Sequence, residues 1–482
     1  MEMTLFLPEL ALIGMVLVLF FMTLKPVRQS TLQGLALVLA AVVVVAAMYG
    51  MTRSGTLFYD AYRVDALSQL FKVMITFGLF LLIYLGIGLK GIETELQPEY
   101  LLFLTVSAAG LVLMSSSVEL LTLLISLEIS SFALYVIIPF RNQRKFRSQM
   151  EAGIKYVLFG AATTGIMLYG MSYLFGVAHT TYIDALMVKI PPLLKAGSMV
   201  TIIGLIMLLA GLFFKLALFP MHFWAPDVYE GAANETSAFV ATLPKIAAVA
   251  LLIRLVSLAG TEIAEVSWVL GVFAVISMTF GNLAALVQTD LKRLLAFSSI
   301  AHAGYIMVGI LCLNTLGMVS ATYYIGGYLL MNLAVFFVIY QLGEGGNNVS
   351  LDDLRGLYKR APLMAFTLLV GAFAMAGIPP TVGFTGKVII FTAAIKEGLY
   401  ALVIISVINT GVSAFYYLKM VRAAYTLADD ETQGRAPGVM ARLVSAPSLM
   451  GLFFITAIIA LGIYPQPFLD VAQHAALAGM LK

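Results

Sequence analysis

Apolar runs of about twenty residues recur along the whole chain, and nothing else in the sequence restricts the fold as much. A bilayer hydrocarbon core ~30 Å thick needs ~20 apolar residues per helix. Inside it a segment must satisfy its own backbone polar groups, so runs of this length read as helices. Fourteen spans follow, near residues 4–24, 31–50, 67–89, 100–117, 119–138, 152–176, 199–231, 236–259, 267–287, 294–313, 318–342, 363–397, 400–425 and 446–464. The sequence therefore predicts an all-α polytopic membrane protein with about 14 transmembrane helices.

Composition excludes the alternatives. Of 482 residues, 61% are apolar and 11% charged, against ~25% charged in a typical soluble domain. Soluble, disordered and coiled-coil classes are ruled out. The formal charge is +3 and no basic run is interleaved with aromatics, so no nucleic-acid partner is expected. The single cysteine, Cys312, lies in an apolar stretch and supports neither a disulfide framework nor an iron–sulfur or zinc ligand set. Residues 1–24 carry Glu2 and Glu9 without a basic n-region or a small-residue cleavage site, so they read as a retained helix. No P-loop, Ser/His/Asp constellation or acidic metal cluster is present. The string Gly86-Ile-Gly88-Leu-Lys-Gly91 ends a helix instead of following a strand, and reads as coincidence.

Positive residues stay on the cytoplasmic side of short loops. One set of alternate loops holds Lys25, Arg28, Lys90, Arg141, Arg144, Lys145, Arg147, Lys292, Arg293, Arg355, Lys359, Arg360, Arg422, Arg435 and Arg442. The other holds Arg53, Arg63, Lys189, Lys195, Lys396 and Lys482. Fifteen against six places the first set in the cytoplasm, and an even number of spans puts both termini on the other side.

Two segments are too long for one straight crossing, 199–231 and 363–397, and both contain breakers. The first has Pro220 and Pro226; the second has Gly377-Ile-Pro-Pro380 and Gly383. Proline removes an internal hydrogen bond and breaks a helix. At spans 7 and 12 the two broken helices run in opposite directions, which points to inverted repeats. The expected organisation is an N-terminal three-helix segment at 1–98, a first inverted five-helix repeat at 99–260 (spans 4–8), a second at 261–426 (spans 9–13), and a C-terminal loop and helix 14 at 427–482.

Most charges lie in loops or near span ends, where Lys72, Lys155, Arg254 and Lys419 can snorkel to the interface. Glu128, Lys215, Lys245 and Lys387 lie deep within their spans. A centred Lys or Asp costs ~2.5–3.5 kcal/mol even on insertion scales, so such residues mark function. Glu128 and Lys215 can offset each other's desolvation, as a relay or as a plain structural pair. Lys245 follows Pro244 with no nearby acid, and Lys387 follows the Gly-Pro-Pro break, where unwound backbone can hydrate an ammonium. Of four histidines only His302 lies inside a span, either as a proton relay or as a satisfied core residue. His222 ends the first broken span beside Trp224, where an interfacial role is equally open. Lys292 and Arg293 read as positive-inside residues, with a proton-entry role as the alternative.

Three strings carry a resemblance: residues 211–231 (Gly-Leu-Phe-Phe-Lys-Leu-Ala-Leu-Phe-Pro-Met-His-Phe-Trp-Ala-Pro-Asp-Val-Tyr-Glu-Gly), residues 292–305 (Lys-Arg-Leu-Leu-Ala-Phe-Ser-Ser-Ile-Ala-His-Ala-Gly-Tyr) and residues 377–387 (Gly-Ile-Pro-Pro-Thr-Val-Gly-Phe-Thr-Gly-Lys). They resemble the antiporter-like subunits of respiratory complex I, over essentially the whole chain. The broad motifs are shared with Mrp-type cation/proton antiporter subunits. The Trp-Ala-Pro-Asp-Val-Tyr-Glu-Gly wording and the lysine at 387 look most like the subunit-N group of bacterial NADH:quinone oxidoreductases. Subunit M typically has glutamate at the position of Lys387, and subunit L has a C-terminal lateral helix for which this chain lacks room.

The resemblance implies a proton channel in the membrane arm of a proton-translocating NADH:quinone oxidoreductase. Glu128, Lys215, Lys245, His302 and Lys387 match the family's proton-transfer positions. It implies no cofactor or metal in this chain, with flavin, iron–sulfur clusters and quinone in partner subunits. Expected partners are the neighbouring antiporter-like subunit M, the small membrane subunits and the lipid bilayer of a bacterial inner membrane. One departure is Asn234-Glu235-Thr236, where a Pro-rich apolar stretch is expected, which sets apart the surface of that loop. An Mrp-type antiporter subunit and a non-transporting membrane scaffold are the rival readings.

Overall fold

A computed structural model describes residues 2–142, 146–256, 264–427 and 446–479. Arg144, Lys145, Arg435, Arg442 and Lys482, used above for orientation, lie outside the described residues. The first part of the chain forms helices α1 (Leu7–Thr23), α2 (Gln29–Gly50), α3 (Ala66–Leu85), α4 (Gln97–Ser116), α5 (Leu120–Ile137) and α6 (Phe146–Ala178). Next come α7 (Ile183–Lys195), α8 (Met199–Leu208), α9 (Ala210–Leu216), α10 (Ala225–Gly231) and α11 (Asn234–Val256). The remainder forms α12 (Ala264–Leu286), α13 (Leu291–Leu311), α14 (Thr315–Leu342), α15 (Leu357–Arg360), α16 (Pro362–Ala376), α17 (Val382–Lys396), α18 (Tyr400–Tyr425), α19 (Ala446–Ile463) and α20 (Gln466–Gly479).

Among the described residues, eleven helices are long and apolar enough to cross a membrane, or twelve if the bent pair formed by α19 and α20 counts as one. The chain is a mostly helical, polytopic membrane protein. Two further apolar helices, α1 and α16, are shorter. Burial grades from centre to rim: the spanning windows of α11 and α13 are 100% buried, whereas those of α2 and α18 are 28% buried. The rim exposes large apolar side chains such as Trp268, Phe415, Val45 and Phe132. Such a continuous apolar exterior around an apolar core is stable in lipid and not in water.

Local sequence sets the ends. Asp65 caps α3 by accepting from the Ser68 amide, with Ser68 Oγ reaching back to the Asp65 amide, a reciprocal capping box. Asp290 caps α13 through Arg293 N, and Asn314 caps α14 through Gly317 N. Pro98 and Pro362 open α4 and α16 in the first turn, where a missing N–H costs nothing.

Loops gather at two ends of the bundle. At one end, Arg141 bridges Ile92, Asp290 pairs with Ser350, and Gly356 N donates to Thr426 O. At the opposite end, Tyr62 bridges Ser117 and Glu119 bridges Tyr182. Three elements are absent from the sequence reading. One is a hairpin of β1 (Gly55–Leu57) and β2 (Tyr62–Val64), with Thr56 opposite Arg63. Another is the amphipathic helix α7, whose Ile183, Leu186, Ile190 and Leu194 form one buried stripe. The third is α20, which turns by 74° from α19 and packs on α3 and α14.

The two over-long segments are broken as their prolines demand. The first runs through α8 and α9 and ends at Ala217, φ 56°, before the turn to α10. The second ends α16 at Gly377, φ 84°, and resumes as α17 at Val382. Three residues beyond each left-handed residue stands a proline, Pro220 or Pro380.

Candidate functional site

Each break exposes the carbonyl end of a half-helix inside the bundle, and a lysine is docked on each. Lys245 Nζ, on α11, donates to Leu216 O at 2.6 Å, the last residue of α9. Lys387 Nζ, on α17, donates to Met375 O at 3.2 Å and Ala376 O at 3.1 Å, the end of α16. The two lysines are 2% and 3% exposed, so both must be held without water. The last carbonyls of a helix lack intrahelical partners and carry about half a negative charge. They accept an ammonium hydrogen bond without adding a titratable acid. Lys245, expected to lack a counter-charge, finds main-chain oxygen in that role. Gly377 has no side chain to obstruct this docking: a Cβ there would sit 3.0 Å from Lys387 Cδ.

Between the two lysines runs α13. Its row Ser298, His302 and Tyr305, spaced i, i+4 and i+7, lies along one face, with Ser299 alongside. Lys245 Nζ donates to Ser299 Oγ at 3.1 Å, and Ser299 Oγ is 3.3 Å from Tyr229 Oη. Ser298 Oγ is bonded to Tyr417 Oη. The Tyr417 hydroxyl lies 3.0 Å from His302 Nε2, and His302 Nδ1 lies 2.7 Å from Tyr324 Oη. Lys387 Nζ lies 4.8 Å from the centre of the Tyr305 ring. All these side chains are buried. The structure thus sets two separate hydroxyl groups along α13 between the lysines, Ser299–Tyr229 on Lys245 and Ser298–Tyr417–His302–Tyr324 nearer Lys387, which the sequence reading missed. The available signal was hydroxyl-bearing residues recurring every three to four positions on an otherwise apolar helix.

Glu128 and Lys215 behave differently. Glu128 Oε1 accepts from Thr164 Oγ1 at 2.6 Å, across α5 and α6, and its residue is half-buried. Lys215 is 1% exposed, and among the described residues its Nζ has no hydrogen-bond partner. Among the described residues neither a hydrogen bond nor a salt bridge joins the two, and the Thr164 hydroxyl holds Glu128 Oε1.

Other charges depart from expectation. Lys72 and Arg254 do not snorkel; each is 0% exposed. Lys72 Nζ pairs with Glu9 Oε1 at 2.7 Å, and Arg254 Nη2 donates to both Asp65 oxygens at 2.7 and 2.8 Å. Each finds its partner in a carboxylate inside the fold. His222 is not interfacial: it is 3% exposed and lies against the Phe219, Phe223 and Phe280 rings. Lys292 is buried, donating to Ala232 O at 2.7 Å, while half-exposed Arg293 bonds Asp227 and Glu230 at 2.8 Å each. Glu235 is also buried, accepting from Gly91 N at 3.0 Å, so the departure at 234–236 packs into the loop end instead of marking a surface.

Asp227 is shared by Lys155 at 2.5 Å and Arg293 at 2.8 Å. Burial pushes its carboxyl up, but the hydrogen bonds from Lys155 and Arg293 outweigh that and hold it below its ordinary value.

Residues 117–413 match the family model described as NADH:quinone oxidoreductase/Mrp antiporter, TM. NADH-quinone oxidoreductase subunit N 2 of Opitutus terrae is 46% identical over 471 residues, covering 98% of this chain and 97% of the relative. A chain in respiratory complex I from Thermus thermophilus with bound aureothin superposes with TM-score 0.79 at 29% identity, over 96% of this chain and 98% of that one. A chain of the Mrp complex from Dietzia sp. shares the fold, with TM-score 0.85 at 18% identity and complete coverage of both chains. The match spans both broken-helix segments and the α13 row between them, and the chain belongs to the NADH:quinone oxidoreductase/Mrp antiporter transmembrane family.

Proposed function

We propose that this chain is a subunit-N-type, proton-translocating membrane-arm subunit of an NADH:quinone oxidoreductase. The observation that carries the reading is the buried polar row on α13, which lies between two lysines, each docked on the carbonyl end of a broken helix. Flavin, iron–sulfur clusters and quinone belong, on this reading, to partner subunits. Those partners include subunit M and the small membrane subunits of a bacterial inner membrane.

The finer architecture is part of the same proposal. Taking α1, the α16–α17 pair and α19 as crossings beside the eleven long helices gives fourteen. Spans 4–8 and 9–13 are then inverted repeats, and their shared pattern of left-handed residue and following proline supports that reading. The positive-residue bias puts the Arg141 end in the cytoplasm and both termini outside.

Protons enter from the cytoplasm near the first repeat, pass Lys215 and Lys245, and leave beyond Lys387. Lys245 passes its proton to Ser299 Oγ once that hydroxyl, which donates to Ala296 O at 2.8 Å, turns its own proton toward the Ser298–Tyr417–His302 set, which continues the transfer. Glu128 sets the proton affinity of Lys215. With Thr164 holding the carboxylate, Lys215 stands in the open arrangement; closure favours its ammonium form. Among the described residues no hydrogen bond joins Lys215 to Lys245, Ser299 to the Ser298–Tyr417–His302 set, or His302 to Lys387, so these three steps need side-chain movement.

Substitution tests the assignment. In assembled complex, Lys215→Ala, Lys245→Ala or Lys387→Ala is expected to lower NADH-driven proton uptake into inverted vesicles by about tenfold or more. Intact pumping per electron at intact turnover overturns the assigned role, and neutral outcomes at all three lysines and Glu128 favour a scaffold. Purification of tagged chain in mild detergent tests the assembly. Co-purified flavin, iron and NADH-driven quinone reduction support the respiratory reading. Small membrane partners without redox centres move the same lysines into a cation/proton antiporter.

A further inference from the structure

An ammonium has three N–H donors. For Lys387 two go to Met375 O and Ala376 O, and the face of Tyr305 lies 4.8 Å from Nζ to the ring centre. A cation over a ring face is attracted by the ring quadrupole, more strongly where water is excluded. Tyr305 itself is 1% exposed, and its orientation is held from two other helices. Asn282 Nδ2, on α12, and Thr410 Oγ1, on α18, each donate to Tyr305 Oη at 3.4 Å.

Asn282 is in turn fixed on all sides. Its Nδ2 also donates to Asn409 O at 3.2 Å and Oδ1 at 3.1 Å, and its Oδ1 accepts from Tyr416 Oη at 2.9 Å. Asn409 Nδ2 donates to Thr279 Oγ1 at 3.2 Å, back on α12. The two asparagine amides carry no proton that could leave at physiological pH, so proton transfer does not pass through them to Tyr305. What the frame does is lock one hydroxyl, and through it one ring.

We propose that Tyr305 is a positioning residue for the Lys387 ammonium, and that the Asn282–Asn409–Tyr416 frame holds Tyr305 in place. This deepens, and rests on, the reading of Lys387 as a proton carrier. The ring favours the protonated lysine where it stands; a loosened ring releases that preference. Retention of the proton at Lys387 is therefore set by uncharged side chains on α12 and α18, neither of which carries the lysine.

The test uses the assembled complex in inverted membrane vesicles, with proton uptake normalised to NADH oxidation by a water-soluble acceptor, which reports assembly alone. Tyr305→Leu, which removes the ring, is expected to slow normalised pumping by about fivefold. Tyr305→Phe keeps the ring and is expected to restore most of that loss, leaving about a twofold defect. Asn282→Ala is expected to match Tyr305→Phe, and the double variant to be no worse than the stronger single one, because both act through the same hydroxyl. Multiplying defects, or wild-type pumping by Tyr305→Leu, overturns the proposal. If Asn282→Ala does not assemble, the comparison of Tyr305→Leu with Tyr305→Phe still decides. Lys387→Ala separates the two levels: normal pumping by that variant defeats the Lys387 reading itself, whereas its failure alongside a fully active Tyr305→Leu defeats this inference alone.

Discussion

At the scale of single residues, the site depends on charges held without counter-charges. Lys245 and Lys387 each use helix-end carbonyls, and a buried donor left without its acceptor costs ~1–3 kcal/mol, more when charged. Gly377 permits one of these arrangements. At φ 84° an L side chain is strained by ~1–2 kcal/mol, and an added Cβ would press on Lys387 Cδ at 3.0 Å. Gly377→Ala is expected to lower the thermal midpoint of the purified complex and reduce pumping together; an unchanged midpoint contradicts the backbone argument. Gly383→Ala is expected to be harsher, since its Cβ would stand 1.8 Å from Ala374 O, a main-chain atom that cannot swing away. Membrane accumulation of the two variants gives the ranking. The positions of the four deep charges were legible in the sequence, because an ionisable residue amid apolar neighbours is visible there. Their partners were not: Leu216 O and Met375 O belong to every residue's backbone and have no signature.

At the scale of elements, breaks and caps act where the sequence says and tie together parts it does not connect. Proline and glycine disclosed both interrupted helices. The short helix α10 is held by Asp227, bonded by Lys155 from α6 and Arg293 from α13. Because folding lowers the Asp227 pKa below an unfolded value near ~3.9, this stabilisation is fully present above that value and is lost as pH falls through the folded pKa. Asp227→Asn is accordingly expected to lower the thermal midpoint at pH 7, with the difference from wild type shrinking below about pH 4. A difference that persists unchanged at acid pH assigns the effect to packing instead. The amphipathic stripe of α7 is legible in its i, i+3 and i+7 spacing, but at 13 residues the helix is too short to register as a spanning run.

At the scale of the whole molecule, two buried ion pairs fix the N-terminal segment, one within it and one to the rest of the chain. Glu9 on α1 pairs with Lys72 on α3 and accepts from Tyr62 Oη at 2.6 Å, while Asp65 before α3 takes Arg254 of α11. Removing one member of a buried pair strands its partner and costs about 3–5 kcal/mol, whereas replacing both is far milder. Glu9→Gln or Lys72→Met alone is expected to reduce the amount of chain in the membrane, and the double variant to recover much of it. Quantitative immunoblotting of membranes checks this; a double variant as depleted as the sum of the singles removes the pair from the account.

The sequence by itself determined the membrane-spanning helical class, the approximate spans, both breaks and the four deep charges, because hydrophobic length, proline and isolated charge act locally. Tertiary structure decided which groups meet. It left Glu128 bonded to Thr164 and not to Lys215, buried Lys72 and Arg254 in ion pairs, sent Lys292 inward, and set Ser299, Tyr417, His302 and Tyr305 between two lysines. These outcomes depend on helix rotation and packing between residues as far apart as Ser298 and Tyr417. A linear pattern of apolar residues specifies that a helix forms, while the neighbours it packs against settle which of its faces meets a given partner.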